Sequence, residues 1–180
     1  MLRDYLEFMT RSLTDMNSNE KYKYRCFEHY VLTHGKTYPS DPIPKERKAE
    51  ILAAIKKHRI KFPIKQCFGN CLEFVLKTKL PGVTYVEGYA TAIIPIHHAW
   101  LSVDGYVFDP TLRLAHPPER KRDSVAHNRI WGDLQGREYI GVEFPDWGLH
   151  HRRAVETELL QSVIDDWQND WPALRGEYDG

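Results

Sequence analysis

The stretch HHAWLSVDGYVFDPT, residues 97–111, decides the fold. Two alternating runs flank Asp104-Gly105, the strongest short signal for a hairpin closed by a two-residue type I′ turn. Such a turn fixes the register: Val103 faces Tyr106, Ser102 faces Val107, Leu101 faces Phe108 and Trp100 faces Asp109. Cross-strand partners share a face of the sheet, because side chains alternate with period two. His98, Trp100 and Ser102 therefore lie with Val107, Asp109 and Thr111, while His97, Ala99, Leu101 and Val103 lie with Tyr106 and Phe108. The adjacent histidines cannot serve one site. His98 and Asp109 become diagonal neighbours, with Cα atoms about 7–8 Å apart, a span that a His–Asp hydrogen bond bridges. A carboxylate on an imidazole fixes its tautomer and stabilises the imidazolium, the orienting role in acid–base triads. On the hairpin alone, a purely structural His–Asp pair fits equally well.

Upstream of the hairpin the pattern is helical. Residues 2–16 carry Leu2, Tyr5, Leu6, Met9 and Leu13 at helical spacing, and residues 20–34 carry Tyr24, Phe27, Tyr30 and Val31 ahead of Gly35. TYPSDPIP is a turn-rich connector, and Pro44 suits the first turn of a helix running to about Arg59. A further helix spans about Gln66–Lys79, stopped by Pro81-Gly82. The period then changes to alternation, predicting strands over Val83–Ile94, His97–Val103, Tyr106–Asp109 and Glu138–Phe144. Leu112–Gly136 reads as a polar surface excursion, about Leu149–Trp167 as a last helix, and WPALRGEYDG as a tail that frays. Helices first and strands after give an α+β fold. At 180 residues the chain suits one domain: a helical part to about residue 60, a core over 61–145, and a C-terminal helix and tail over 146–180.

A nucleophile is the natural partner for a His–Asp pair. KQCFGNCLEFVL places Cys67 at a helix start, where unpaired backbone N–H groups and the helix dipole favour a thiolate. Cys71, one turn on, shares a stripe with Phe74 and reads as core packing, as does Cys26. The rival use is zinc, with Cys67 and Cys71 joined by His98, but no fourth ligand stands at a recognisable spacing. The expectation is therefore no metal and no cofactor.

A Cys opening a helix, His-Ala-Trp on a strand and Asp-Pro-Thr ending the next strand together resemble the transglutaminase-like branch of the papain-like cysteine superfamily. More narrowly, QCFGNCLEF, YVEGYA, HHAW, the Val107–Thr111 run and YIGVEF are similar to a group of small phage and bacterial proteins. Their pattern runs Cys-aromatic-x-Asn, Tyr-x-x-Gly-Tyr-Ala, His-Ala-Trp, Asp-Pro-Thr and Tyr-x-Gly. The resemblance covers residues 66–144 and departs at His97, a second histidine where a smaller or apolar residue would be ordinary. It implies a Cys-bearing helix packed on an antiparallel sheet that delivers His and Asp, with Cys67, His98 and Asp109 as the catalytic triad. The Cys67 backbone N–H and the Gln66 side chain are candidate oxyanion donors. Trp100, grouped with the substrate-binding residues, would shield the His–Asp bond; Tyr89 would line a substrate cleft or, as the safer reading, pack as a core aromatic; and Asn70 would tie helix to sheet.

The implied chemistry is attack of Cys67 on a carboxamide or peptide carbonyl, giving a thioester. Water would resolve it in a peptidase, amidase or deamidase; an amine would do so in a transglutaminase or acyltransferase. A non-catalytic binding module on the same fold is the third reading. Lys plus Arg equals Asp plus Glu at 25 each, so no overall field points to nucleic acid or an acidic membrane. The basic runs at 45–57 and 120–122 read as solvated faces. MLRDYLEFMTRSL lacks the uninterrupted apolar run of a signal peptide, and no segment approaches a membrane span. Three cysteines, an odd number, argue against a disulfide framework and for a reducing cytoplasm. The expected partner is a protein, peptide or other amide substrate; the sequence leaves the oligomeric state open.

Overall fold

The computed structural model of the chain describes residues 1–14, 21–63, 65–91, 93–112, 136–146, 148–151 and 162–179. The architecture is α+β. Helices α1 (Leu2–Thr14) and α2 (Phe27–His34) lead to a short strand β1 (Lys36–Tyr38), helix α3 (Lys45–His58) and helix α4 (Cys67–Thr78). Strands β2 (Val83–Thr91), β3 (Pro95–Val103), β4 (Tyr106–Phe108) and β5 (Tyr139–Phe144) complete one antiparallel sheet in the order β1-β5-β2-β3-β4.

The hairpin has the register that its turn dictates. Val103 pairs with Tyr106, Ser102 with Val107 and Leu101 with Phe108. Asp104 and Gly105 both sit at positive φ, 51° and 89°, as a type I′ turn requires. Arg47 of α3 grips the turn, its Nε 2.6 Å from Asp104 Oδ2.

Alternation along the strands divides the sheet into two faces. One face, with Tyr85, Tyr89, Ala99, Leu101, Phe108, Ile140 and Val142, joins α1, α2 and α4 in the larger core. From α4 it receives Cys71, Leu72, Phe74 and Val75. The opposite face holds a smaller cluster of Tyr38, Val86, Ala90, Trp100, Val107, Leu112 and Tyr139. Both faces are buried.

The structure corrects several boundaries. The second helix begins at Phe27, because the Tyr24 N–H bonds to the Leu174 carbonyl at 3.0 Å, and Cys26 caps the helix with its sulfur 3.4 Å from the His29 N–H. Cys26 is thus a half-buried cap, where the sequence suggested plain core. Strand β1 falls in a segment read as a helix end and a connector. The C-terminal helix does not run to Trp167: residues 148–151 are helical, but 162–166 are irregular, and Trp167–Asn169 is a 3₁₀ turn. The tail is docked, with Pro172–Arg175 forming a helical turn that buries Ala173 and Leu174. Most of the predicted polar excursion, residues 113–135, the basic run within it, and residues 152–161 of the predicted last helix lie outside the described residues.

Candidate active site

Helix α4 brings its first residue to the sheet. Lys65, in the left-handed region at φ 63°, turns the chain into the helix, and Gln66 caps it without a side-chain capping bond. Cys67 is the first helical residue, so its N–H and those of Phe68 and Gly69 have no intrahelical acceptor. The positive end of the helix surrounds the thiol. Cys67 is half-buried, whereas Cys71 is fully buried, and burial pushes the Cys71 thiol well up.

On the sheet, β4 stops opposite Leu101, so among the described residues β3 has no partner strand on that side from Trp100 back to Pro95. His98 lies on this stretch, 3% exposed, and Asp109 follows directly after β4, also 3% exposed. His98 Nε2 stands 2.8 Å from Asp109 Oδ2. The carboxylate is held from three further directions. Its Oδ1 accepts from the Thr111 N–H at 3.0 Å and the Leu112 N–H at 2.9 Å, and its Oδ2 accepts from the Tyr139 hydroxyl at 3.1 Å. Burial opposes ionisation of Asp109, but the His98 charge and hydrogen bond, with the Leu112 and Thr111 N–H groups, hold it below the usual carboxylate range. Burial likewise opposes charging His98. Asp109 overcomes that, with the nearby Cys67 thiol acting in the same direction, and pushes the imidazole up to about 10. With Nε2 on the carboxylate, Nδ1 is the ring nitrogen left for the thiol. The structure joins His98 to Asp109, and the Cys67 thiol lies near enough to act on the His98 charge.

Asn70, 1% exposed, donates to the Pro63 carbonyl at 2.9 Å and to Thr111 Oγ1 at 3.0 Å. It ties α4 to the loop that carries Asp109, as the sequence suggested. Gln66, the residue before Cys67, is exposed, and its side chain makes no capping bond. The structure corrects the other two residues placed at the substrate. Tyr89 is 5% exposed with its hydroxyl on Glu28 at 2.7 Å, and Trp100 is fully buried on the opposite face. Neither offers surface to a ligand. The Trp100 ring packs edge-on against Tyr139, 5.1 Å between centroids, and so shields the His–Asp bond indirectly.

His97 has a carboxylate of its own. Its Nε2 lies 3.0 Å from Glu87 Oε1, off the line of a hydrogen bond. Its ring stacks on Phe27 and Tyr89 and is tilted against Phe68. Glu87 is fully buried, and although burial opposes its charge, His97, Ser162 and Tyr85 keep its carboxyl below the ordinary value. It accepts from the Tyr85 hydroxyl and the Val163 N–H, each at 2.7 Å, from the Ile164 N–H at 3.0 Å, and from Ser162 Oγ. Sequence reasoning passed over Glu87, yet a signal was present: a carboxylate between Tyr85 and Tyr89 at a core-facing strand position. Among the described residues no three His, Cys, Asp or Glu side chains are grouped to hold a metal ion.

No protein-family model, curated protein or solved structure matches this chain. The three cysteines are all unpaired thiols, and no helix among the described residues is long and apolar enough to cross a membrane.

Proposed function

We propose that the chain is a cysteine-dependent amide hydrolase, in the manner of the transglutaminase-like enzymes its motifs resemble. The observation that carries this reading is the buried His98–Asp109 pair, 2.8 Å between Nε2 and Oδ2, meeting a half-buried thiol at a helix start. The thiol alone of the three groups reaches solvent. Asp109 orients His98, and His98 holds the proton that Cys67 gives up. The thiolate attacks a carboxamide or peptide carbonyl, forming a C–S bond and a tetrahedral oxyanion. The first-turn N–H groups of α4 and the Gln66 amide are the donors for that oxyanion. His98 then returns the proton to the leaving amine as the C–N bond breaks. Water, deprotonated by His98, resolves the thioester and regenerates the thiol.

An amine in place of water gives acyl transfer on the same triad, and a binding module would keep the geometry without turnover. The substrate proposed is a protein, peptide or other amide. Three free thiols suit a reducing compartment such as the cytoplasm. The test is a diverse synthetic peptide library incubated with and without biotinylated cadaverine, with products read by mass spectrometry. Cleaved or deamidated peptides that disappear in Cys67→Ala establish hydrolysis, and incorporated amine establishes transfer. A product set that is the same in wild type and Cys67→Ala contradicts both and favours the binding module.

A further inference from the structure

We propose that Tyr139 is a positioning residue of this triad: its hydroxyl, donating to the same Asp109 oxygen that receives His98, sets the pH range in which thiol and imidazole work. The inference rests on the triad reading above. Asp109 Oδ1 is filled by the Thr111 and Leu112 N–H groups, and Oδ2 by His98 and Tyr139. Four donors occupy the four lone-pair directions of a carboxylate, so the group cannot rotate away from the ring. Tyr139 is fully buried, and burial together with the Asp109 charge keeps its phenol protonated, hence a donor.

What holds Tyr139 explains motifs that the triad leaves unused. Gly88 and Ala90 of YVEGYA, Trp100 of HHAW, and Tyr139 and Gly141 of YIGVEF all lie on the His98 face of the sheet. Gly88 pairs with His98 on one side and Gly141 on the other. A Cβ on Gly141 would come 2.5 Å from the Trp100 ring, and one on Gly88 would strike the Ile140 carbonyl. Gly88 lets β5 approach closely, Gly141 makes room for Trp100, Trp100 packs on the Tyr139 ring, and Tyr139 holds Asp109. The support runs across three strands to one oxygen.

The sign of the effect follows from charge. A hydrogen-bond donor on Asp109 stabilises the more negative state of the cluster, so its removal raises every protonation step. The titratable and charged groups facing this oxygen are His98 from β3, Cys67 and Cys71 from α4, and Arg137 ahead of β5, whose charge acts on Tyr139. None of them replaces the lost donor at Oδ2.

The experiment is the pH profile of iodoacetamide alkylation at Cys67, followed by peptide mass mapping, in wild type, Tyr139→Phe and His98→Ala. Both limbs of the Tyr139→Phe profile are expected to move up by about one pH unit, the worth of one hydrogen bond to a charged group. A merely structural tyrosine would lower the yield of folded protein and leave the limbs in place, and that result overturns the inference. Should wild type and His98→Ala share one profile, the triad itself fails, and this inference with it. The wild type supplies a check that needs no folded variant. A Tyr139 hydroxyl proton protected from exchange, with a nuclear Overhauser contact to the His98 Nε2 proton, is expected by NMR. Its absence overturns the placement.

Discussion

Two histidines stand side by side at 97 and 98, and each meets a carboxylate on its own face of the sheet. What separates them is the third group. The Cys67 thiol neighbours His98, while His97 is enclosed by Phe27, Phe68 and Tyr89 above the buried Glu87. The charge on His98 depends on Asp109, because the ring is buried and burial alone favours the neutral form. In wild type the ring is expected to remain doubly protonated through pH 8, consistent with its being held at about 10. In Asp109→Asn, with burial unopposed by a charge, it should be neutral at pH 7. Nitrogen-15 chemical shifts of the His98 ring, followed against pH, read this directly. A wild-type ring that titrates as an ordinary histidine near 6.5 would contradict the assigned charge state.

At the scale of elements, the hairpin was legible because its information is local. Asp104-Gly105 dictates a turn, the turn dictates register, and register places His98 and Asp109 on one face. Helix α4 was legible for a similar reason: its apolar stripe and Pro81-Gly82 stop lie within one window of sequence. Elements held by distant partners were not. Strand β1 is three residues long, too short to show a period, and exists through its pairing with β5. Val163, Ile164 and Trp167 have helical spacing, but the Val163 and Ile164 N–H groups are taken by Glu87. The tail docks because Leu174 accepts from the Tyr24 N–H and Asp179 receives the Tyr24 hydroxyl and Lys23. Within the site, Cys67, His98, Asp109 and the Asn70 tie could be read from the residues and the motifs they form. Tyr89 reads from sequence as either cleft lining or core aromatic, and the packing decides for core, while Trp100 screens the His–Asp bond through Tyr139 rather than directly.

For the molecule as a whole, a buried His98–Asp109 pair on one face of the sheet and the buried Glu87 carboxylate on the other make stability depend on pH from both sides. His98 is held above its ordinary value, so the stability it contributes is complete below about 6.5, the value of an unperturbed histidine, and is lost as pH rises toward about 10. Asp109 and Glu87 are held below theirs, so their contribution is complete above the ordinary carboxylate range and is lost as pH falls through the lowered values. Urea unfolding at fixed intervals of pH should therefore give a midpoint that is highest between about pH 5 and 6.5 and declines on either side. A midpoint that stays flat from pH 6 to 10 would show that His98 carries no charge of structural consequence. Glu87 does more than balance charge here, since it fixes residues 162–164 onto the sheet and thereby closes the C-terminal part over the core.

The central claim is that His98 activates Cys67, and the most direct measurement is the rate of iodoacetamide labelling at each of the three cysteines at pH 6. Cys67 is expected to react at least about tenfold faster in wild type than in His98→Ala, as expected for a thiolate held beside an imidazolium. Cys71 should stay silent and Cys26 react slowly, because burial pushes both thiols up. A Cys67 rate no faster than that of a free thiol, or one that falls in His97→Ala and not in His98→Ala, would contradict the account.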